Sequence, residues 1–317
     1  MSEKFCDVGR GITLCYETFG ERSDPPALLI MGLGTQMIAW HEDFCRALAA
    51  RGLYVVRFDN RDIGRSTHLS GAPPTIAQLL MRSRRAARYS LADMAEDAAV
   101  LLERLSLEPA HVIGASMGGM IAQTLAARHP AAVRSLVSIM SNTGSLRTGQ
   151  PSLRVYSTFL RTAPPQRDAF IEHMTGVFRV IGSPGELRDA DEIRELIGAS
   201  YDRDHDPAGP GRQLAAIIAA GNRTAELRRI KAPTLVIHGT ADPLVRFSGG
   251  RATAAAIAGA RLMPVQGMGH DLPRALWPKL IDAIASHALG AASAQPAAED
   301  TRSPRRDPPL RTAPVPR

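Results

Sequence analysis

Between a short apolar run, His111-Val-Ile-Gly114, and a helical pattern over 117–128, the chain reads Gly114-Ala-Ser-Met-Gly118. Few local patterns restrict a fold more. A buried strand that turns directly into a helix leaves no room for side chains flanking the turn, and glycine stands at both flanks. Ser116 at the apex then holds its hydroxyl above the sheet, with the positive end of the helix dipole and free N–H groups behind it. A G-x-S-x-G string alone is a weak signal, but in a strand–turn–helix context it is a strong one. Read as structure alone, it is a glycine-rich turn without chemistry.

The rest of the chain supplies that context. Apolar runs of strand length recur at 27–31, 53–58, 135–139 and 234–237, as expected of strands buried on both faces of a parallel sheet. Helical patterns lie between and after them at 41–51, 90–105, 117–128 and 274–288. The alternation predicts an α/β fold with a doubly wound sheet. Segments 4–8 and 12–18, flanking Gly9-Arg10-Gly11, predict an N-terminal hairpin. From 144 to 229 the alternation stops. Helical candidates at 152–162, 166–180, 185–200 and 210–221 are separated by Pro164-Pro165, Ser183-Pro184-Gly185 and Asp206-Pro207. This is a helical insertion between two sheet strands. Segment 67–88 reads as a surface loop with a short helix. The last 27 residues hold six prolines and little periodicity, which predicts a disordered tail.

Composition narrows the function classes. A chain of 317 residues, 44% hydrophobic and 22% charged, can bury a large core. The net charge of +7 has no nucleic-acid recognition motif beside it, and aromatics at 5% leave few stacking platforms, so no nucleic-acid partner is expected. Cys6, Cys15 and Cys45 are odd in number and match no metal spacing, which suggests thiols in a reducing compartment. No signal-peptide core and no bilayer-length apolar run stand out. The expectation is a cytoplasmic protein without a membrane anchor.

A serine nucleophile needs a base, and the base needs an orienting acid. Downstream, Thr234-Leu-Val-Ile-His-Gly-Thr-Ala-Asp-Pro243 reads as a buried strand whose loop carries Asp242. Met263-Pro-Val-Gln-Gly-Met-Gly-His270 reads as a short strand whose loop carries His270. Ser…Asp…His is the order expected after such a turn. The region after the preceding strand, Ser138 to Gly144, offers no carboxylate, which supports Asp242 as the acid. Asp271 adjoins His270 and is expected to point elsewhere. Asp59, Arg61, Asp62 and Arg65 read as structural ion pairs and caps, and His111 and His238 as structural. The polar stretch Tyr201–Asp206 fits no zinc or calcium motif and reads as a solvated loop.

Together these blocks resemble the α/β-hydrolase superfamily over roughly residues 5–290. More narrowly, Met31-Gly-Leu-Gly34, Arg57-Phe-Asp-Asn-Arg-Asp-Ile-Gly-Arg-Ser66, Gly114–Gly118, Thr234–Pro243 and Gly267-Met-Gly-His-Asp-Leu-Pro273 resemble the branch containing aclacinomycin methylesterase and related bacterial carboxylesterases. The resemblance implies an α/β-hydrolase fold with a mostly parallel eight-stranded sheet. It implies a core of 1–144 and 230–290, a helical cap over 145–229 and a tail over 291–317. It makes Ser116 the nucleophile, His270 the base and Asp242 the acid, with the amides of Met117 and Leu33 (Gly32 adjoining) as the oxyanion hole. Many relatives have His-Gly at Met31-Gly32, so a polar anchor of that loop is missing here. Gln36, Met37 and Trp40 either line the acyl pocket or pack the core. Phe159, Phe170, Met174 and Phe178 are the cap's candidates for the substrate wall. The implied activity is hydrolysis of a bulky, mostly apolar ester, such as a polyketide-type methyl ester or a macrolactone. No metal or organic cofactor is required, no membrane or nucleic acid takes part, and the chain is a monomer or homodimer. Lactonase, perhydrolase or cofactor-free haloperoxidase, and acyltransferase activities use the same triad; a non-enzymatic ligand receptor is the alternative of a different class.

Overall fold

The structure, a computed structural model, describes residues 3–81, 84–159, 163–187 and 189–293. Its strands are β1 (Lys4–Asp7), β2 (Thr13–Phe19), β3 (Pro26–Ile30), β4 (Tyr54–Phe58), β5 (Ala110–Ala115), β6 (Val133–Ile139), β7 (Thr234–Gly239) and β8 (Arg261–Val265). They form one sheet of order β1-β2-β4-β3-β5-β6-β7-β8. β2 pairs antiparallel with β1 and β4, and the remaining pairs are parallel. The expected hairpin turn is present, with positive φ at Gly9, Arg10 and Gly11.

The helices are α1 (Glu42–Ala49), α2 (Ile76–Leu80), α3 (Leu91–Arg104), α4 (Met117–Arg128), α5 (Leu153–Phe159), α6 (Arg167–Ile181), α7 (Ala190–Arg203), α8 (Gly209–Ala220), α9 (Thr224–Leu227), α10 (Phe247–Ala256) and α11 (Trp277–Ser293). Alternate strand residues face opposite sides of the sheet. Leu28, Ile30, Val56, Phe58 and Val112 therefore pack with α3 and α4 on one face. Ala27, Leu29, Val55, Ile113 and Val137 pack with α1 and α11 on the other. This two-sided cover is why β4, β5 and β7 are buried at every residue. Among the described residues no helix is long and apolar enough to cross a membrane.

Two boundaries differ from the sequence reading. α7 spans 190–203 rather than 185–200. α11 starts at Trp277, with Pro278 in its first turn where no intrahelical N–H is needed. It runs to Ser293, three residues into the segment expected as tail, and Ala291 is buried. The expected tail beyond 293 lies outside the described residues.

Helices α5 to α9 lie between β6 and β7. The segment leaves and rejoins the core at Gly144 and Gly221, both at positive φ and so close that a Cβ on Gly144 would strike the Gly221 carbonyl. Just beyond, buried Arg223 donates to the carbonyls of Met120 (3.2 Å) and Asn142 (2.7 Å) and to Gln123 Oε1 (2.9 Å). Burial draws its pKa down to about 10, against the weaker opposing pull of Glu226.

Charged groups hold the insertion to the core. Arg212 on α8 grips Asp62 through Nε (3.0 Å) and Nη2 (2.8 Å) and reaches Asp206 at 2.8 Å. Arg203 at the end of α7 pairs with Asp59 at 2.6 Å and Glu3 at 2.7 Å. Asp59 and Asp62 are structural, as expected, and their ion-pair partners Arg203 and Arg212 come from the insertion. The Tyr201–Asp206 stretch is consequently no solvated loop. Tyr201–Arg203 ends a helix, and Arg203 and Asp206 belong to this clasp. Asp62, His68 and Asp206 converge within 4.8 Å of one another, and the Arg212 guanidinium lies against both carboxylates.

His68 completes the clasp. Its Nδ1 lies 3.0 Å from Asp206 and its Nε2 lies 2.8 Å from the Gly64 carbonyl and 3.3 Å from Asp204. Burial works against the imidazolium, but the Gly64 carbonyl, Asp206 and Asp204 outweigh it and raise the His68 pKa. A raised folded-state pKa stabilises the fold fully below the unfolded value of about 6.5, and the contribution fades as pH rises through the raised value. His68→Gln is therefore expected to lower Tm most in acid, near about pH 5.5, with the gap to wild type closing as pH is raised above about 6.5. Thermal melts of both proteins across that range check it; a gap that widens with pH contradicts it.

Candidate active site

Ser116 stands between β5 and α4 at φ +54° and ψ −116°. For a residue with a Cβ this is a strained conformation, and neighbouring bonds hold it: Ser116 N donates to Ile139 O at 2.9 Å, and Met120 N to Ser116 O at 3.2 Å. The flanking glycines are sterically obligatory. A Cβ on Gly114 would collide with the Gly118 carbonyl, and one on Gly118 with the Ile30 carbonyl. The strand, the turn and the helix can approach this closely only with hydrogen at both positions.

His270 Nε2 lies 2.9 Å from Ser116 Oγ, and its Nδ1 lies 2.7 Å from Asp242 Oδ2. The other Asp242 oxygen accepts from the Leu244 and Val245 amides at 2.9 Å each. With Nδ1–H donated to a fully buried carboxylate, Nε2 is left as the acceptor facing the hydroxyl. Such an array can take the proton of Ser116 as its oxygen attacks. His238 is structural, as expected: its Nε2 donates to the Val245 carbonyl at 2.7 Å, bracing the turn that carries Asp242. Burial draws the His238 pKa down against the opposing pull of the Val245 carbonyl and Asp242. His111 is likewise a core residue, 2.8 Å from Ser135 Oγ, with burial pulling its pKa to about 4.

The base loop is held by the insertion. His270 N donates to Ile181 O at 2.8 Å, and Gly269 N to Ser183 Oγ at 2.9 Å. Asp271 does point away from the imidazole. It accepts from Ser183 N at 2.9 Å, and burial raises its pKa against the opposing bonds from Ser183.

The loop after β3 passes over the serine. A Cβ on Gly32 would sit 3.2 Å from Ser116 Cβ and 3.7 Å from Oγ, so Leu33 follows directly at the site. The Met117 amide, at the first position of α4, has no preceding helical carbonyl to serve and is free for a ligand.

The alpha/beta hydrolase fold family matches residues 25–273. The chain belongs to that family. Rhodomycin D methylesterase DnrP of Streptomyces peucetius is 29% identical to this hydrolase over 88% of the chain and 96% of its own length. 3-Oxoadipate enol-lactonase 2 of Acinetobacter baylyi is 25% identical over 77% of the chain and 81% of its own. The crystal structure of a hydrolase from Pseudomonas aeruginosa PA01 superposes with a TM-score of 0.68 at 25% identity, covering 91% of this chain and 98% of that one. The chain is thus an enzyme of the carboxylic-ester hydrolase class.

Around the site of this hydrolase, Met37 and Trp40 take the core-packing alternative: both are 0% exposed. Trp40 packs in the core against Phe44, tilted by 32° with ring centroids 5.7 Å apart. The chain turns into the 3-10 segment Met37–Ala39 immediately after the loop, and Trp40 joins the apolar cluster on the α1 and α11 side of the sheet. Gln36 is also withdrawn. It donates to Ser200 O (2.7 Å) and Asp204 O (2.9 Å) of the insertion. Phe170 is half-buried and packs against Tyr201 (5.4 Å) and His205 (4.8 Å), at and just beyond the end of α7. Phe159 ends α5, and its side chain lies outside the described residues. Met174 and Phe178 are placed differently. They are half-buried in an apolar cluster with Val155, Ile181 and Leu244, beside the loops of Asp242 and His270. Sequence reasoning missed Gln213, Ser183, Arg203 and Arg212, which no motif or periodicity singles out.

Proposed function

We propose that this hydrolase is a serine esterase acting on a bulky, mostly apolar carboxylic ester. The observation that carries the reading is the Ser116–His270–Asp242 chain of hydrogen bonds, at 2.9 and 2.7 Å, on a strained strand-to-helix turn. His270 Nε2 takes the hydroxyl proton as Ser116 Oγ bonds to the ester carbonyl carbon. The Met117 and Leu33 amides receive the oxyanion. The intermediate collapses, the C–O bond to the alcohol breaks, and His270 returns the proton to the departing alkoxide. Water then attacks the acyl-serine with His270 again as base, releasing acid and free enzyme. Asp242 keeps the imidazole in the tautomer this requires.

The 145–229 segment is the proposed cap and chooses the substrate. The methylesterase relative acts on rhodomycin D by its name, and the half-buried apolar wall of Met174, Phe178 and Leu244 supports a large hydrophobic ester here. The enol-lactonase relative favours one second reading, a cyclic ester opened by the same steps. Three free, buried thiols support a reducing, cytoplasmic setting; burial pushes Cys15 and Cys45 up to about 12.

The test is a panel of aromatic polycyclic methyl esters, short-chain aryl esters and lactones. Met174→Ala and Phe178→Ala are expected to change the kcat/KM ratio of bulky to small esters by about tenfold or more, since pocket shape acts on differential transition-state binding. Labelling of Ser116 by a small phosphonate should persist. Substitutions that shift Tm but leave the ratio unchanged would move specificity away from this wall, and faster turnover of lactones would replace the open-chain ester.

A further inference from the structure

Residues 32–35 form a tight turn, closed by Thr35 N donating to Gly32 O at 3.4 Å. Gly34, its third residue, has φ +63°, while Leu33 is not among the positive-φ residues, so the turn is of type II. Its central peptide joins Leu33 to Gly34, and the Gly34 N–H projects towards the insertion. There it donates to Gln213 Oε1 at 2.8 Å. Gln213 Nε2 in turn donates to the Arg61 carbonyl at 2.8 Å. The side chain is 0% exposed, and its orientation is the one that satisfies both backbone groups. Pro210, on the same helix, packs where a Cβ on Gly34 would be only 3.2 Å away. On the core side the loop hangs from Met31 O, which accepts from Asn60 Nδ2 at 3.0 Å, and Met37 N, which donates to Asp59 at 2.7 Å. The middle of the loop has no such core anchor, and Met31 offers no polar side chain to provide one.

We propose that Gln213 is a positioning residue for catalysis: by tying the Gly34 N–H to α8 it holds the whole turn, and with it the Leu33 N–H, in place over Ser116. A loop without a core anchor at its middle can shift as a body, and the bond from Gly34 to buried Gln213, with Pro210 packed beside it, limits that shift. The insertion thereby carries part of the oxyanion pocket's geometry as well as its roof. The inference rests on the assignment of Leu33 as an oxyanion donor.

The experiment uses the full chain with Gln213→Met, which keeps the length of the side chain and loses both bonds, and Gln213→Glu, whose carboxyl can still accept from Gly34. Each is assayed on an aryl oxoester and on the matching thionoester, whose developing sulfur anion accepts hydrogen bonds weakly, alongside a boronic-acid analogue of the tetrahedral intermediate. Gln213→Met is expected to lower kcat on the oxoester by about 10–100-fold, with KM within about twofold. Boronate affinity should fall in parallel, the thionoester should lose far less, and Gln213→Glu should recover most of the rate. Equal losses on both esters, a loss confined to KM, or a wild-type kcat in Gln213→Met overturns the inference. A phosphonate label on wild-type Ser116 separates the two readings. If it fails to form, the serine-esterase assignment falls; if it forms while Gln213→Met turns over normally, only the role of Gln213 falls.

Discussion

Ser116→Ala is expected to leave a folded protein whose kcat is about 10⁴–10⁶-fold lower than wild type. The hydroxyl is hydrogen-bonded to His270, and its loss opens no cavity in the core. The strained φ is imposed by Gly114, Gly118 and the Ile139 carbonyl, so alanine is held as serine is. Tm should therefore stay within a few degrees. What disappears is the only atom that can form the acyl intermediate at that point. Residual turnover is expected from the remaining polar groups of the site and solvent water. Two measurements decide it. Steady-state kinetics give the fall in kcat, and mass spectrometry after treatment with a serine-reactive phosphonate should find one adduct in wild type and none in the variant. An adduct on a different serine would place the nucleophile elsewhere.

The second large effect is on stability. Arg212→Met removes the guanidinium from Asp62, whose side chain is 0% exposed and sits at φ +65°. Leu69 N still donates to it at 2.7 Å, but a buried carboxylate then lacks a countercharge. Breaking one side of a buried pair in this way costs about 3–5 kcal/mol, because the remaining charge keeps its desolvation penalty without its attraction. For a protein of this size the shift in Tm is on the order of 10 °C. The control is Arg212→Met combined with Asp62→Asn. Asparagine tolerates the left-handed backbone and can accept from Leu69, yet carries no charge, so the double variant should melt above the single one. A single variant that melts with wild type would mean that water reaches Asp62 and that the insertion is not clamped there. The effect also bears on catalysis, since Arg212 adjoins Gln213 on α8.

Much of this architecture is legible in the chain. Strand positions follow from short apolar runs bounded by glycine and aspartate, because burial on both faces of a sheet demands continuous hydrophobicity. The insertion follows from helical periodicity where a strand is due. Ser116, Asp242 and His270 are readable because each stands at the end of a strand, in loops that a doubly wound sheet gathers at one edge. Even the sideways orientation of Asp271 is foreseeable, since adjacent residues in a tight loop rarely point to one spot.

Other features have no local signature. Trp40 and Phe170 are large apolar residues near the site in sequence, and nothing in their spacing distinguishes a pocket wall from a packed core or an outer face. What lies opposite each side chain decides that, and for Trp40 it is Phe44, while for Phe170 it is Tyr201 and His205. The carboxylates of 59–62 announce ion pairs without naming partners, and Arg203 and Arg212 lie more than a hundred residues downstream. Gln213 is an unremarkable polar position on a helix until folding brings it to the Gly34 amide, 179 residues away. Steric necessity and hydrophobic periodicity act between chain neighbours, so the sequence by itself determines the nucleophile turn, the sheet and the order of the triad. Hydrogen bonds and ion pairs form between whichever groups packing brings within about 3 Å, so the tertiary structure alone decides how the insertion grips the loops around Ser116.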